Sequence, residues 1–503
     1  MKAKIILILA LLSLTAQAQK HEVRAVWLTT IGGIDWPYTK TATAQKQEMT
    51  RTLDQLKRVN INTVLIQTRV RASTIYPSGI EPFDMCLTGT HGRNPGYDPL
   101  QFIVDECHKR GMECHAWMVT IPVGKTSEAR FKEFKRKNPK LVRTIGQEGF
   151  MNPENSATGD YIANICAEVT RKYDIDGIHL DYIRYPETWP KNKGAKPHER
   201  RLNITSIVRK INRAVKTLKP WVKLSCSPIG KSGDLKRYPS GGWNAYNAVF
   251  QDAQGWLNEG LMDQLYPMMY FRDNNFFPFA LDWQERSYGR TIVSGLGIYF
   301  LSPREGKWTL DDVRREMYFV RDNGIGHCYF RSKFLTDNTR GIYDFARQFD
   351  EAPALIPPMT WAWNEAPTSP TRLDILRGSS QDRLSWSGAV DRSRAPYLLY
   401  NIYASTTPDV DVNEPRNLIA TRLQATALSV PHTNGQTLYY AVCALDRYGN
   451  ESAPAYTDAP TASGTIASGG FAARKSLSPK DTRIPPFYYF WSKKQQKKYN
   501  KTH

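Results

Sequence analysis

Over residues 19–350 the chain repeats one pattern. A short, nearly unbroken apolar run, which suits a strand covered on both faces, gives way to a longer stretch whose apolar residues recur every third or fourth position, the period of a helix with one buried side. The runs fall at residues 23–29, 63–68, 112–117, 177–181, 222–227, 262–270, 291–296 and 326–330. The helical stretches fall at 44–59, 99–110, 160–173, 202–218, 248–258, 280–287, 310–323 and 341–348. Asp98-Pro99 opens one helix and Gly111 closes it, while Thr309 with Asp312 opens another that Gly324 closes. Eight strand-then-helix units predict an α/β fold, a (β/α)8 TIM-type barrel. The rival is a doubly wound open sheet, which usually has fewer strands, and no Gly-x-Gly-x-x-Gly follows the first run here.

Side chains alternate along a strand, so in the fourth run His179 and Asp181 share one face and Ile178 and Leu180 the other. Asp181 ends that run, and the C-terminal end of a parallel barrel strand is where such folds place chemistry. Asp176 sits at the entrance of the run and Asp263 opens the sixth; both are expected to be structural. Long segments follow several strands, at 69–97, 118–153, 182–196 and 228–244, and they are rich in rings and cations: Arg69, Arg71, Tyr76, Arg184, Trp189, Trp243. Connections of this length usually have a function, and aromatic rings beside hydrogen-bonding groups suit a sugar chain, although rim packing also uses such rings.

Beyond Ala352 the pattern changes. Pro353, Pro357, Pro358, Pro367 and Pro370 stiffen a joint over 351–370. Strand alternation at 383–386, 397–405, 427–431 and 438–445 then predicts a small all-β sandwich over 371–460. Residues 461–503 are first Ala/Ser/Gly-rich and then basic and aromatic, with nine Lys or Arg against one acid, Asp481, from Arg474 onward. That tail could make peripheral contact with an envelope surface or simply keep the chain soluble. At the other end Lys2 and Lys4, an apolar run to Leu14 and Ala16-Gln17-Ala18 have the form of an export leader over 1–18. Export predicts a periplasmic or extracellular protein of the cell envelope. No later stretch approaches the roughly 20 apolar residues of a membrane span.

Composition adds two constraints. A net charge of +20 over 503 residues implies attraction to polyanions. For an exported chain this points to an acidic glycan as partner rather than nucleic acid, with a merely solvated basic surface as the alternative. The seven cysteines are scattered, odd in number and never spaced Cys-x-x-Cys, so they are expected to be buried free thiols and not a disulfide framework or zinc site. His115 and His179 lack the spacing of metal ligands, and neither a metal nor a cofactor is expected.

Several motifs occur in order: Arg24-Ala25-Val26-Trp27-Leu28-Thr29-Thr30 with Ile34-Asp35-Trp36-Pro37; Gln67-Thr68-Arg69 with Tyr76-Pro77-Ser78; and Pro95-Gly96-Tyr97-Asp98-Pro99-Leu100. His115-Ala116-Trp117, Asp176 to Tyr182 and Tyr266-Pro267-Met268-Met269-Tyr270 follow. Together, over about residues 21 to 350, they resemble glycosyl-hydrolase-like family 10, formerly a domain of unknown function. The resemblance implies a secreted (β/α)8 glycoside hydrolase, with peptidoglycan glycan strands the favoured substrate. Where many members continue with Asn-Pro-Tyr-Arg after His-Ala-Trp, this chain has Met118-Val119-Thr120-Ile121, so sugar contacts there are expected to differ. In the C-terminal part, Leu384-Ser385-Trp386, Tyr400-Asn401-Ile402-Tyr403 and Tyr439 to Asp446 resemble a fibronectin type III domain, implying a spacer or docking module.

Glycoside cleavage usually takes two carboxyl groups, one giving a proton and the other acting as nucleophile or base. Asp181 is the candidate for one. Asp273, Asp35, Glu187 and Glu305 all follow strands and remain open for the other. The motifs and loops nominate Arg24, Trp27, Trp36, Gln67, Arg69, His115, Trp117, His179, Arg184, Tyr266, Tyr270 and Arg331 as substrate contacts. His179 is expected to orient Asp181 or a sugar hydroxyl. The competing reading is a non-catalytic glycan-binding or envelope-tethering protein that works through its sandwich and tail.

Overall fold

Eight parallel strands close into a barrel in a computed structural model that describes residues 19–190, 194–433 and 435–457. The expected leader over 1–18 and tail over 461–503 lie outside the described residues. The strands are β1 (Arg24–Leu28), β2 (Thr63–Arg69), β3 (Glu113–Val119), β4 (Gly177–Asp181), β5 (Lys223–Cys226), β6 (Gln264–Leu265), β7 (Thr291–Leu296) and β8 (Gly326–Tyr329), and β8 pairs back onto β1. Alternation divides them between two cores. Ala25, Trp27, Leu65, Trp117, Val119, Tyr266, Val293 and Cys328 fill the barrel, while Val26, Leu28, Ile66, Ile178 and Leu180 face outward under the helices. Strand β6 is far shorter than its apolar run because Pro267 has no N–H to give the ladder. Pairing resumes beyond it only as bridges from Met268 to Ile229 and Gly295.

The helices follow the predicted periods: Ala42–Arg58, Pro99–Lys109, Ser156–Lys172, Pro197–Leu218, Phe277–Glu285, Leu310–Asp322 and Ile342–Phe349. Asp98 caps the second by accepting from Gln101 N, and Thr309 with Asp312 forms a capping box on the sixth. The helix expected over 248–258 is two pieces, Ala245–Ala248 and Ala253–Asn258, because Phe250 takes a left-handed φ of 61° and Asp252 starts a new helix by accepting from Gly255 N. The loop expected after β3 is also different. It holds a three-stranded antiparallel sheet, Pro122–Lys125, Val142–Ile145 and Glu148–Met151, and the helix Ala129–Lys137.

The C-terminal part consists of seven strands in two antiparallel sheets: β9 (Leu373–Leu376), β10 (Gln381–Trp386), β11 (Leu399–Ser405), β12 (Leu418–Leu423), β13 (Ala427–Pro431), β14 (Tyr439–Leu445) and β15 (Ala455–Tyr456). The sheet order is β9-β10-β13 and β12-β11-β14-β15. Leu384, Trp386, Tyr400, Ile402, Tyr440 and Val442 share one core. It is more than a spacer, because its side chains enter the N-terminal end of the barrel. Arg422 pairs with Glu113 and Asp176, and Arg447 with Asp174 and Asp176. A Cβ at Gly111, where φ is +69°, would come 2.5 Å from Thr421 O, so the turn before β3 accepts the sandwich only as glycine. The proline-rich joint is clasped as well: Glu22 N donates to Leu355 O, and Trp361 Nε1 donates to Asp263 Oδ1 at 3.0 Å.

Candidate active site

The C-terminal ends of the strands surround a cavity of about 510 Å³. Its wall is mostly apolar and aromatic, with Trp117, Val119, Tyr182, Trp243, Tyr270, Phe271 and Phe330 among its residues. On the described wall Asp181 is the one carboxylate, and Arg71 and Arg184 are the cations.

Three donors fix the Asp181 carboxylate. Oδ1 accepts from Ser227 Oγ at 2.9 Å and from Tyr182 N at 2.8 Å, and Oδ2 accepts from Trp117 Nε1 at 3.1 Å. Backbone register explains the set. Val119 lies opposite Asp181 on β3, and the pairing of Leu180 with Cys226 on β5 places Ser227 alongside. Tyr182 takes a left-handed φ of 55°, a conformation uncommon outside glycine, as the chain turns out of the strand. Burial pushes the Asp181 carboxyl above its ordinary range, against the pull of Ser227, Arg184, Trp117 and the Tyr182 amide. A half-buried acid raised in this way is suited to hold a proton and deliver it.

His179 lies one layer down and does not orient Asp181. Its Nε2 accepts from Trp27 Nε1 at 3.2 Å, so Nδ1 carries the proton and donates to Ser225 Oγ at 2.9 Å. Burial, and then nearby His115, drives its pKa well below the ordinary value, which makes it a neutral packing ring at pH 7. The Tyr266 and Trp27 rings pack edge-on around it.

The structure brings Asp181, Trp117, Gln67, Arg184 and Tyr270 to the cavity wall. The oxygen of Gln67 is committed to Thr30 N and Ile31 N, holding the loop after β1. Several expected substrate contacts are corrected. Arg24 is sealed at the opposite end of the barrel with Glu22 and Asp350. Arg69 is fully buried against Glu81. His115 pairs with Glu113 at 2.9 Å inside the barrel, and Trp36 is packed away with its Nε1 on Gln45 O. Trp27 and Tyr266 belong to the barrel interior beneath the cavity. Asp35 and Arg331 bind each other and tie the β1 loop to the segment after β8, so neither is free for substrate. Asp273 is exposed and paired with Arg315 at 3.2 Å, and Glu305 is exposed on a turn outside the wall. Glu187 reaches the site only through Arg184, at 2.8 Å.

Ser227 and Tyr182, which support Asp181, were not among the candidates read from the sequence. The signal for Ser227 was present: Ser225 and Ser227 have the same parity on β5 as His179 and Asp181 on β4. All seven cysteines are free and buried. Among the described residues no group of three His, Cys, Asp or Glu could hold a metal ion, and no helix is long and apolar enough to cross a membrane.

A glycosidase-like site at a barrel mouth agrees with the comparisons. Residues 22–299 match the family model "Glycosyl hydrolase-like 10". The glycosyl hydrolase YngK of Bacillus subtilis (strain 168) is 28% identical over 487 residues, covering 87% of this chain and 93% of that protein. The glycosyl hydrolase DigH of Escherichia coli (strain K12) is 33% identical over 295 residues, covering 51% of this chain and 67% of that protein. With more than half its length in the match, carrying seven of the eight barrel strands and Asp181, the chain belongs to the glycosyl hydrolase-like 10 family.

Proposed function

We propose that the protein is an exported glycoside hydrolase that cleaves a cell-envelope glycan, with the glycan strands of peptidoglycan the favoured substrate and another acidic polysaccharide the second choice. The observation that carries this reading is Asp181: a carboxyl on the wall of an aromatic cavity, its pKa raised by burial, held by Ser227, Trp117 and the Tyr182 amide. Membership of the family and the two glycosyl hydrolase relatives support the reaction class. In this proposal Asp181 protonates the leaving oxygen. Of the four candidates for its partner we favour Glu187, because its ion partner Arg184 lines the cavity. The aromatic wall stacks the apolar faces of sugar rings. The two-sheet unit between Leu373 and Tyr456 is read as a fibronectin type III-like domain that braces the barrel.

Mass spectrometry of peptide-stripped peptidoglycan strands incubated with the protein tests this. New reducing ends are expected from the wild type. Asp181→Asn should lose at least about 100-fold in rate while keeping its fold and its affinity for the strand. Unchanged turnover by that variant would remove the acid from the mechanism. Absence of products from every glycan tried would leave a binding protein instead.

A further inference from the structure

Three positions past Asp181, Arg184 forms part of the cavity wall although only 3% of it is exposed. Its guanidinium lies 4.0 Å from the centre of the Tyr182 ring and 6.0 Å from that of Trp243. One nitrogen, Nη2, pairs with Glu187. The others, Nε and Nη1, are enclosed and have no hydrogen-bond acceptor among the described residues. A buried charged donor without a partner is costly, and proton delivery by Asp181 makes no use of it. Arg71, the other cation of the wall, stands 3.8 Å from Glu148, beyond hydrogen-bond length. Trp243 follows Gly241 and Gly242, both at positive φ, and is 38% exposed where it meets the cavity. A large ring left open beside an incompletely satisfied guanidinium offers a sugar both of its needs, an apolar face and a charged donor.

We propose that Arg184 and Trp243 form a subsite for a carboxylate-bearing pyranose, the ring stacking on Trp243 and the acid taking the vacant donors of Arg184, while Arg71 adds positive potential at the entrance. This rests on the reading that the cavity holds a glycan, and it assigns the chemistry of one unit of that glycan. Two sources share the chemistry: a sugar whose acid is carried on an ether side arm, as in muramic acid, and a uronic acid.

The test is calorimetric binding to full-length Asp181→Asn protein, which separates recognition from turnover. The probes are muramic acid-containing strands freed of peptide, hyaluronan oligosaccharides, and each of these with its carboxyls reduced to alcohols. Reduction is expected to weaken binding about tenfold or more for the correct source. The loss should shrink to under twofold once Arg184→Gln is added, and Trp243→Ala should weaken acidic and reduced strands alike. If acid and alcohol forms of both sources bind equally, the subsite does not exist, and this comparison needs no change at Arg184. Preference for the acid forms alongside a wild type that cleaves nothing would keep the subsite and discard the hydrolase. Cleavage without that preference would do the reverse.

Discussion

The two ends of this barrel hold the same kinds of side chain and treat them in opposite ways. At the N-terminal end the buried acids are matched. Glu113 meets Lys223 and Arg422, Asp176 meets His108, Arg422 and Arg447, and Asp263 meets Lys216. Glu22 and Asp350 share Arg24, Arg321 and His327. At the C-terminal end Asp181 has neutral hydrogen-bond donors, a mostly apolar wall and no ion pair among the described residues, Arg184 acting on it only at a distance. Burial alone would raise Glu113, Asp176 and Asp181. The cations win at the base, holding Asp176 well below its ordinary value and Glu113 down to about 2, whereas at the mouth burial wins. One end spends its charges on holding the molecule together, and the other leaves a single acid free to react.

The comparison breaks most visibly if each end is deprived of its acid. Asp181→Asn should remove activity, about 100-fold or more, and leave the unfolding midpoint in urea unchanged or slightly raised. Asp176→Ala should do the opposite. It takes from buried Arg422 and Arg447 the acid they share and leaves them only Glu113 and Asp174, a loss of up to about 3–5 kcal/mol in urea unfolding, while the fraction still folded keeps its kcat.

Acidification sharpens the contrast through sign. A carboxyl depressed in the folded state contributes stability that is present above its unfolded value and disappears as pH falls toward its folded one. For Glu113 that window runs from 4.5 down to about 2. Asp181, raised in the folded state, works against stability above its folded value, and the penalty disappears below the unfolded value of 3.8. Unfolding free energies from urea titrations run from pH 7 downward should therefore fall once the pH drops below about 4.5, by an amount on the order of a few kcal/mol. The Asp181→Asn protein should show the same onset and a slightly larger fall, since it lacks the relief that protonation of Asp181 gives the wild type.

Between the two ends the barrel is tightly filled. A Cβ at Gly177 would lie 2.6 Å from Nδ1 of His115, so this strand must begin with glycine for the ring to fit. Gly177→Ala is expected to cost about 1–3 kcal/mol, read as a lower melting temperature, and to leave the pH dependence of activity in place.

The strands of the barrel were legible because a strand covered on both faces has to be apolar throughout, and all eight runs mark real strands. Only the sixth misled, because an apolar run does not show that Pro267 removes a donor from the ladder. The sandwich strands β9, β12 and β15 and the antiparallel sheet after β3 were missed for another reason. They are short or half-exposed edges such as Val142–Ile145, whose pattern is weak. At the site, parity placed Asp181 at the mouth. Parity could not tell Trp117, at the wall, from Trp27, which register places level with His115 and so two residues deeper, because depth along the barrel depends on the stagger between strands. Arg24, Arg69, Asp35 and Arg331 carried the wrong expectation because a motif does not say whether a charge faces substrate or a partner elsewhere in the chain. Glu81, the partner of Arg69, lies in a loop with no recognisable pattern.

The smallest predicted effect tests how finely the mouth is tuned. Ser227 donates to Oδ1 of Asp181 and is the strongest of the influences holding its pKa down against burial. Ser227→Ala removes that donor and leaves Trp117 and the Tyr182 amide in place, so the carboxyl stays where it is and binds its proton more tightly. The limb of the pH–rate profile on which activity falls as Asp181 ionises should then move to higher pH. One lost hydrogen bond to a charged group is worth about 1.5–3 kcal/mol, an upper limit here because water can enter the space, so a displacement of about one pH unit is expected. The rate on the plateau should fall no more than about tenfold, since the proton donor itself remains. If the limb stays in place while the plateau drops, Ser227 positions the carboxylate without tuning it, and the raised pKa belongs to the aromatic wall alone.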